Sequence, residues 1–173
     1  LTELLVFGRR AALSAIEHLQ SGLSASNDAA LSAQARASED RIRALFDQSA
    51  GTETVAGLRK EMMHTMEENA GIYRTGEELQ RACEKIAELR GRYANLALTD
   101  KSKVFNTDLM QALELGSMLD CAETVAVGAR DRTESRGAHQ RLDFTARDDQ
   151  NFLKHTLAYH HPKEPPRIEY LDV

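Results

Sequence analysis

Tryptophan is absent from this 173-residue chain, and only 5% of its residues are aromatic. No apolar run approaches the ~20 residues that a membrane-crossing helix needs. Proline occurs only as Pro162, Pro165 and Pro166, so nothing upstream forbids long helices. Cysteine is limited to Cys83 and Cys121, without the Cys-x-x-Cys spacing of a metal or redox pair. Each falls on the apolar face of an expected helix, the pattern of buried free thiols in a reducing compartment. Basic charge is in deficit, with 22 Lys and Arg against 27 Asp and Glu, giving a net charge of −5. No basic stripe with interleaved aromatics is visible, so a nucleic-acid partner is not expected, nor is a polybasic membrane contact. Neither a G-x-G-x-x-G nor a P-loop occurs, and local motifs build no Ser-His-Asp or Cys-His arrangement. No catalytic residue is therefore expected within the chain.

The beginning lacks a methionine, a basic leader and a capping residue. It opens on Leu1 and runs straight into Leu4-Leu5-Val6-Phe7. A secretory signal would show a basic start and a small-residue cleavage site, and a natural helix start would show a cap. The expectation is a piece of a longer protein that begins near a helix N-terminus.

What is present is helical periodicity. Expected helices cover about 2–19, 29–48, 53–72, 75–96 and 106–132, each with apolar residues at three- and four-residue steps. The first has a wide apolar face from Leu4 to Leu19. Leu31, Ala35, Ile42, Leu45 and Phe46 line the second, and Val55, Leu58, Met62, Met66 and Ala70 the third. Leu79, Cys83, Ile86, Leu89, Tyr93 and Leu96 form the seam of the fourth. Leu109, Leu113, Leu119, Ala122, Val125 and Ala129 form that of the fifth. The 24–28 segment offers N-caps for the second helix, Thr75 and Glu78 form a capping box, and Asn106 or Thr107 caps the fifth. After a short helical turn at 151–155, the period becomes two over 156–160 and 167–171. That pattern predicts a hairpin, which must pack on something to persist. The expected fold is mainly α: an antiparallel bundle of about three long helices, spectrin-repeat-like, with a small C-terminal β-hairpin. Residues 1–145 are read as the bundle domain and 146–173 as its terminal extension.

Metal-ligand spacing is thin. Glu61 and His64 have the Glu-x-x-His spacing of carboxylate-bridged di-iron bundles, but that chemistry needs two such motifs and two further glutamates. His160-His161 lacks a third ligand. No metal ligand is assigned. The densest polar stretch is 132–149, where Arg132, Arg136 and Arg141 surround Glu134, Gly137, His139 and Asp143. One reading is a helix C-terminus, with Gly137 left-handed and arginines satisfying the last carbonyls. The other is a contact of Arg136, His139 and Arg141 with a neighbouring domain or subunit, ordered by Glu134 and Asp143. The two are compatible.

Several stretches together resemble one family, the flavoprotein subunit of fumarate reductase and succinate dehydrogenase. They are Leu1 to Arg9, Gly71-Ile-Tyr-Arg-Thr75, Val104-Phe-Asn-Thr-Asp-Leu109 and Leu113-Glu-Leu-Gly116. Glu134-Ser-Arg-Gly-Ala-His139, Arg147-Asp-Asp149, Asn151 to Leu157 and Arg167-Ile-Glu-Tyr170 complete the set. Arg10-Ala11-Ala12 departs from the family's Ala-Ala-Gly. The resemblance implies the helical C-terminal domain of an FAD-dependent oxidoreductase acting on fumarate and succinate, whose catalytic and substrate-binding residues lie in an upstream region. It implies Leu1 as a cofactor contact and Arg136, His139 and Arg141 as interdomain contacts. It also implies upstream FAD-binding and capping domains, an iron–sulfur subunit of a membrane-bound complex, and a cytoplasmic, membrane-peripheral location. The isolated chain is expected neither to hold FAD nor to turn over dicarboxylate. L-Aspartate oxidase shares the Glu-Ser-Arg-Gly-x-His element and is the alternative, as is a non-catalytic helical scaffold.

Overall fold

The computed structural model describes residues 2–22, 27–161 and 164–173, and the chain divides into two compact units, Leu1–Ile42 and Arg43–Val173. The first contains α1 (Thr2–Gln20) and most of α2 (Asp28–Asp47). Gly22, at φ +84°, follows α1, as a left-handed glycine past a helix end should. Of the expected N-cap stretch 24–28, Ser24 to Ser26 lie outside the described residues. Asn27 performs the task, its Oδ1 accepting from the Ala30 amide at 3.1 Å. No residue of α1 is buried. Leu31 and Ala35, expected on an inner side of α2, are exposed, and that helix buries only Leu45.

The second unit contains α3 (Val55–Ala70), β1 (Tyr73–Arg74), α4 (Gly76–Tyr93), α5 (Thr107–Asp131), β2 (Gln140–Arg141), α6 (Asp149–Phe152), β3 (Lys154–Tyr159) and β4 (Arg167–Asp172). Cross-contacts fix the helix directions. Glu53, just before α3, bridges to Leu96, just after α4. Tyr93 donates to the Ala112 carbonyl, and Arg130 to Gln80. Both neighbouring pairs are therefore antiparallel, an up-down-up bundle as the periodicity predicts. Leu58, Leu79, Ile86, Leu89, Ala112 and Leu115 are wholly buried within it. Burying a side chain of leucine size contributes roughly 2 kcal/mol, so this core carries the unit.

The inner face of α5 includes the expected Leu119, Ala122 and Ala129, with Leu109 and Leu113 packed partly buried against the core, and is wider than expected. Ala112, Leu115, Leu119, Ala122 and Ala126 point inward, whereas Val125 is exposed. Small residues let α4 approach: a Cβ on Gly116 would sit 3.0 Å from the Tyr93 hydroxyl. Cys121 is exposed, correcting the expectation of two buried thiols, while Cys83 is buried as expected.

The hairpin pairs Lys154 with Asp172 through Tyr159 with Arg167 in antiparallel register. It persists because Ile168 packs on the α4–α5 cluster of Ala82, Cys83 and Ala126. Phe152 and Tyr170 add an edge-to-face contact at 5.9 Å. β1 and β2 form a two-residue parallel pair, Tyr73 with Gln140 and Arg74 with Arg141. This ties the polar turn to the α3–α4 connection.

Candidate functional site

The capping box starts α4 as the sequence predicts. Thr75 Oγ1 accepts from the Glu78 amide at 3.2 Å, and the Glu78 carboxylate accepts from the Thr75 amide at 3.0 Å. Because α4 and α5 are antiparallel, the N-terminus of one lies beside the C-terminus of the other. Four free amides and four free carbonyls, with opposite partial charges, meet at one end of the bundle.

The turn after α5 supplies the missing partners. Arg141 is only 2% exposed. Its Nη1 donates to the carbonyls of Ala129, Arg130 and Arg132 at 3.1–3.2 Å, closing the end of α5. Nε and Nη2 donate to both oxygens of Asp143, each at 2.8 Å. Asp143 accepts in turn from the Gly76 amide at 2.8 Å, at the start of α4. One ion pair thus places a cation on a negative helix end and an anion on a positive one. The Arg141 guanidinium beside Asp143 holds its carboxyl well below the ordinary carboxylate value. The Arg141 guanidinium also lies 5.0 Å over the Phe144 ring.

Glu134, with a fully buried side chain, organises the other half. It accepts from Arg132 at 2.6 Å, from Arg136 at 2.7 and 3.1 Å, and from the Asp148 amide at 2.7 Å. Burial alone would raise its pKa, but the bonds from Arg136, the Asp148 amide and Arg132 outweigh burial and lower it. Arg136 also reaches Asp149 at 2.7 Å. Arg132 extends the network to the hairpin, donating to the carbonyls of Phe152 and Lys154 and to Thr156 Oγ1.

His139 is held at both nitrogens. Nε2 lies 3.0 Å from the Arg132 carbonyl, which can only accept, so Nε2 carries the proton. Nδ1 lies 3.0 Å from Arg74 Nη1, which can only donate, so Nδ1 is bare. The imidazole is neutral, and burial, with Arg74, Arg141 and Arg132 nearby, lowers its pKa.

Gly137 has φ +58°, left-handed as expected. It does not end a helix, however: α5 stops at Asp131 with Arg132 as its cap. Gly137 instead opens a two-residue turn whose flanks, Arg136 and His139, exchange backbone bonds at 2.8 and 3.0 Å. Glycine is favoured at the first central position of such a turn.

The structure thus brings Arg136, His139 and Arg141 together, while Leu1 lies outside the described residues. Arg74 escaped the sequence reading. Its signals are adjacency to the Thr75 cap and membership of the family-like Gly71-to-Thr75 stretch, and its partner His139 lies 65 residues away. Elsewhere, Glu61 is taken up by Arg92 and Lys85. Among the described residues no cluster of three or more His, Cys, Asp or Glu could hold a metal. No described helix is long and apolar enough to cross a membrane.

Residues 59–173 match the family model described as fumarate reductase flavoprotein C-term. The whole chain is 51% identical to 29% of the fumarate reductase flavoprotein subunit of a Serratia species. It is 40% identical, over 91% of its length, to 26% of the succinate dehydrogenase flavoprotein subunit of Rickettsia bellii. A solved Escherichia coli quinol fumarate reductase structure superposes with a TM-score of 0.92 at 49% identity, covering 99% of this chain and 29% of that one. The chain therefore spans about three tenths of the length of the relatives it matches.

Proposed function

The chain belongs to the fumarate reductase flavoprotein C-terminal family, and from that premise we propose that it buttresses the flavin-carrying part of a subunit interconverting fumarate and succinate. The observation that carries this reading is a rigid charged turn set beside exposed apolar residues. Ile72, Tyr73, Leu142 and Phe144 are 43–74% exposed. Tyr73 lies in the β1–β2 pair, and Ile72, Leu142 and Phe144 flank it. A surface whose arginines and carboxylates, Arg74 apart, pair with one another, and whose remaining side chains are apolar, is suited to bury against another protein face.

FAD, when bound, supplies the ring that exchanges hydride with the dicarboxylate. The residues described here fit one edge of such a group, not all of it. α1 begins at Thr2 with its first-turn amides ahead of exposed Leu4 and Leu5. An open helix start favours negative charge. Leu1, which precedes Thr2 in the sequence, is the proposed contact. The sequence has no glycine-rich phosphate loop, so the dinucleotide is assigned to the upstream domains. Catalytic groups are assigned there too. This chain's contribution is to offer the α1 start to the flavin and to dock through the Arg136–His139 turn. The likeness to quinol fumarate reductase supports a place in a quinol-linked complex, and with it we assign an iron–sulfur partner and a peripheral position at the inner face of the cell membrane.

The test is Arg136→Ala in the full flavoprotein subunit. We expect flavin content to fall and fumarate reduction to fall with it. Wild-type flavin content and turnover would rule out the docking role.

A further inference from the structure

Arg74 differs from the arginines around it. Arg132 and Arg136 pair with Glu134, and Arg141 with Asp143. Arg74 has no carboxylate partner among the described residues. Its Nε donates to the Gly71 carbonyl at 2.6 Å and its Nη1 to His139 Nδ1 at 3.0 Å. A guanidinium has five N–H donors. Three therefore remain, one on Nη1 and two on Nη2, and Nη2 with both donors unspent is open to a carboxylate oxygen. The group is half-buried, and loss of water lowers its pKa. A desolvated cation without a counter-charge is costly until an anion arrives.

The surroundings say what kind of anion. Arg74 lines a depression of about 320 Å³ whose other walls include Thr124, Val125, Gly128, Thr156 and Ala158. Two more potential cations reach it, Arg132 and His139. Glu134 neutralises the first, and the hydrogen bonds of the second require the neutral ring. One uncompensated positive charge remains. That matches one carboxylate and mismatches a phosphate dianion. Beside Arg74 in the chain lie Tyr73, 62% exposed, and Ile72, 74% exposed, and Leu142, whose amide donates to the Arg74 carbonyl, is 57% exposed. A free carboxylate would leave these uncovered, whereas a carboxylate on a protein face would cover them. Relatives carry about seven tenths of their length outside the matched region.

We propose that Arg74 receives one Asp or Glu side chain from the flavin-carrying remainder of the same subunit. His139 acts as the positioning residue that aims the guanidinium. The inference rests on the proposed function and names the chemistry of its docking surface.

The experiment is zero-length coupling in the full subunit carrying Arg74→Lys, purified with whatever partners accompany it. A water-soluble carbodiimide activates a carboxylate, the amine introduced at position 74 displaces the resulting urea, and an amide bond marks any pair in contact. Lys85 and Glu61, 3.0 Å apart, are the internal positive control. We expect the introduced amine joined to one acidic residue upstream of this region. Coupling within the region, to a separate polypeptide or to added succinate overturns the proposal. So does no coupling while Lys85–Glu61 forms. Flavin absorbance, read on the same sample, reports separately on the parent reading: a subunit without flavin sinks that reading, and a flavin-loaded subunit without the cross-link sinks only this one. Should the variant misfold, phenylglyoxal labelling of the unmodified subunit decides. Arg74 should resist modification relative to Arg59, and equal labelling overturns the proposal.

Discussion

Two arginines at opposite ends of α4 gather carboxylates in different ways. Arg92, in the last turn, binds Glu53, Glu61 and Glu88 at 2.7–3.1 Å. Lys85 completes that group through Glu61 and Glu88. Its carboxylate side chains are 21–51% exposed. Arg141, beside the first turn, is 2% exposed, and its neighbour Glu134 is wholly buried. The ligands differ as well. Arg92 binds side chains only, while Arg141 and Glu134 also bind backbone carbonyls and an amide. The Arg92 group braces a helix flank that water would otherwise solvate adequately. The Arg141 group replaces water at two helix ends where burial has removed it. An ion pair's worth therefore depends on what its partners would do without it.

Glu134→Gln should break this comparison hardest. It keeps the shape but leaves two arginines without their shared anion, and losing one side of a buried network costs about 3 kcal/mol or more. Urea unfolding should show a lower midpoint at unchanged slope. A loss comparable to that of an Arg92 variant would mean the burial distinction is empty.

An effect of middle size comes from pH. The folded pKa of His139 is lowered, so its contribution is complete above the unfolded value of ~6.5 and is lost as pH falls from there towards its lower folded value. Glu134 and Asp143 are lowered too, and their contributions are lost only below the unfolded carboxylate values of ~4. Stability should thus fall in two windows. His139→Gln should flatten the upper one and spare the lower. Unfolding midpoints that stay parallel for both proteins between about pH 7 and 5 would refute the assignment of a neutral ring.

Arg92→Ala should have the smallest effect, and one that disappears in about 1 M salt, because exposed pairs are screened. The Glu61 carboxyl, held down to about 2 by Arg92 first and Lys85 second, should move upward in the variant. Carboxylate titration by NMR would report it, and an unmoved Glu61 would show that Lys85 suffices.

The α1 helix extends the lesson about context. Its apolar stripe reads much like those of the bundle helices, yet Leu4, Leu5 and Leu19 are 62–77% exposed. Periodicity says that a face exists, not what covers it. The seams of α3 and α4 are legible residue by residue, since Leu58, Met62, Leu79, Ile86 and Leu89 repeat at helical steps on faces that both neighbours share. The seam of α5 is legible at Leu119, Ala122 and Ala129, while Ala112, Ala126 and Gly116 escape because alanine and glycine carry little hydropathy signal. The candidate site is half legible. The density of charge at 132–149 flags Arg136, His139 and Arg141, and local spacing suggests Glu134 and Asp143 as their partners. Arg74 is legible only as a member of the family-like Gly71-to-Thr75 stretch, and its role is not, because its ligand is distant in sequence.

The sequence by itself determined the helices, the Thr75–Glu78 cap, the hairpin and the family, since these follow from residue identity within a few positions or from motifs in fixed order. Tertiary structure alone decided that Arg141 closes one helix while Asp143 opens its neighbour. It also decided that His139 is neutral and that Arg74 keeps three donors unspent. Each of those facts depends on two antiparallel helix ends meeting where water is excluded. The cost of an unmatched charge there is set by distance and burial, which no local pattern encodes.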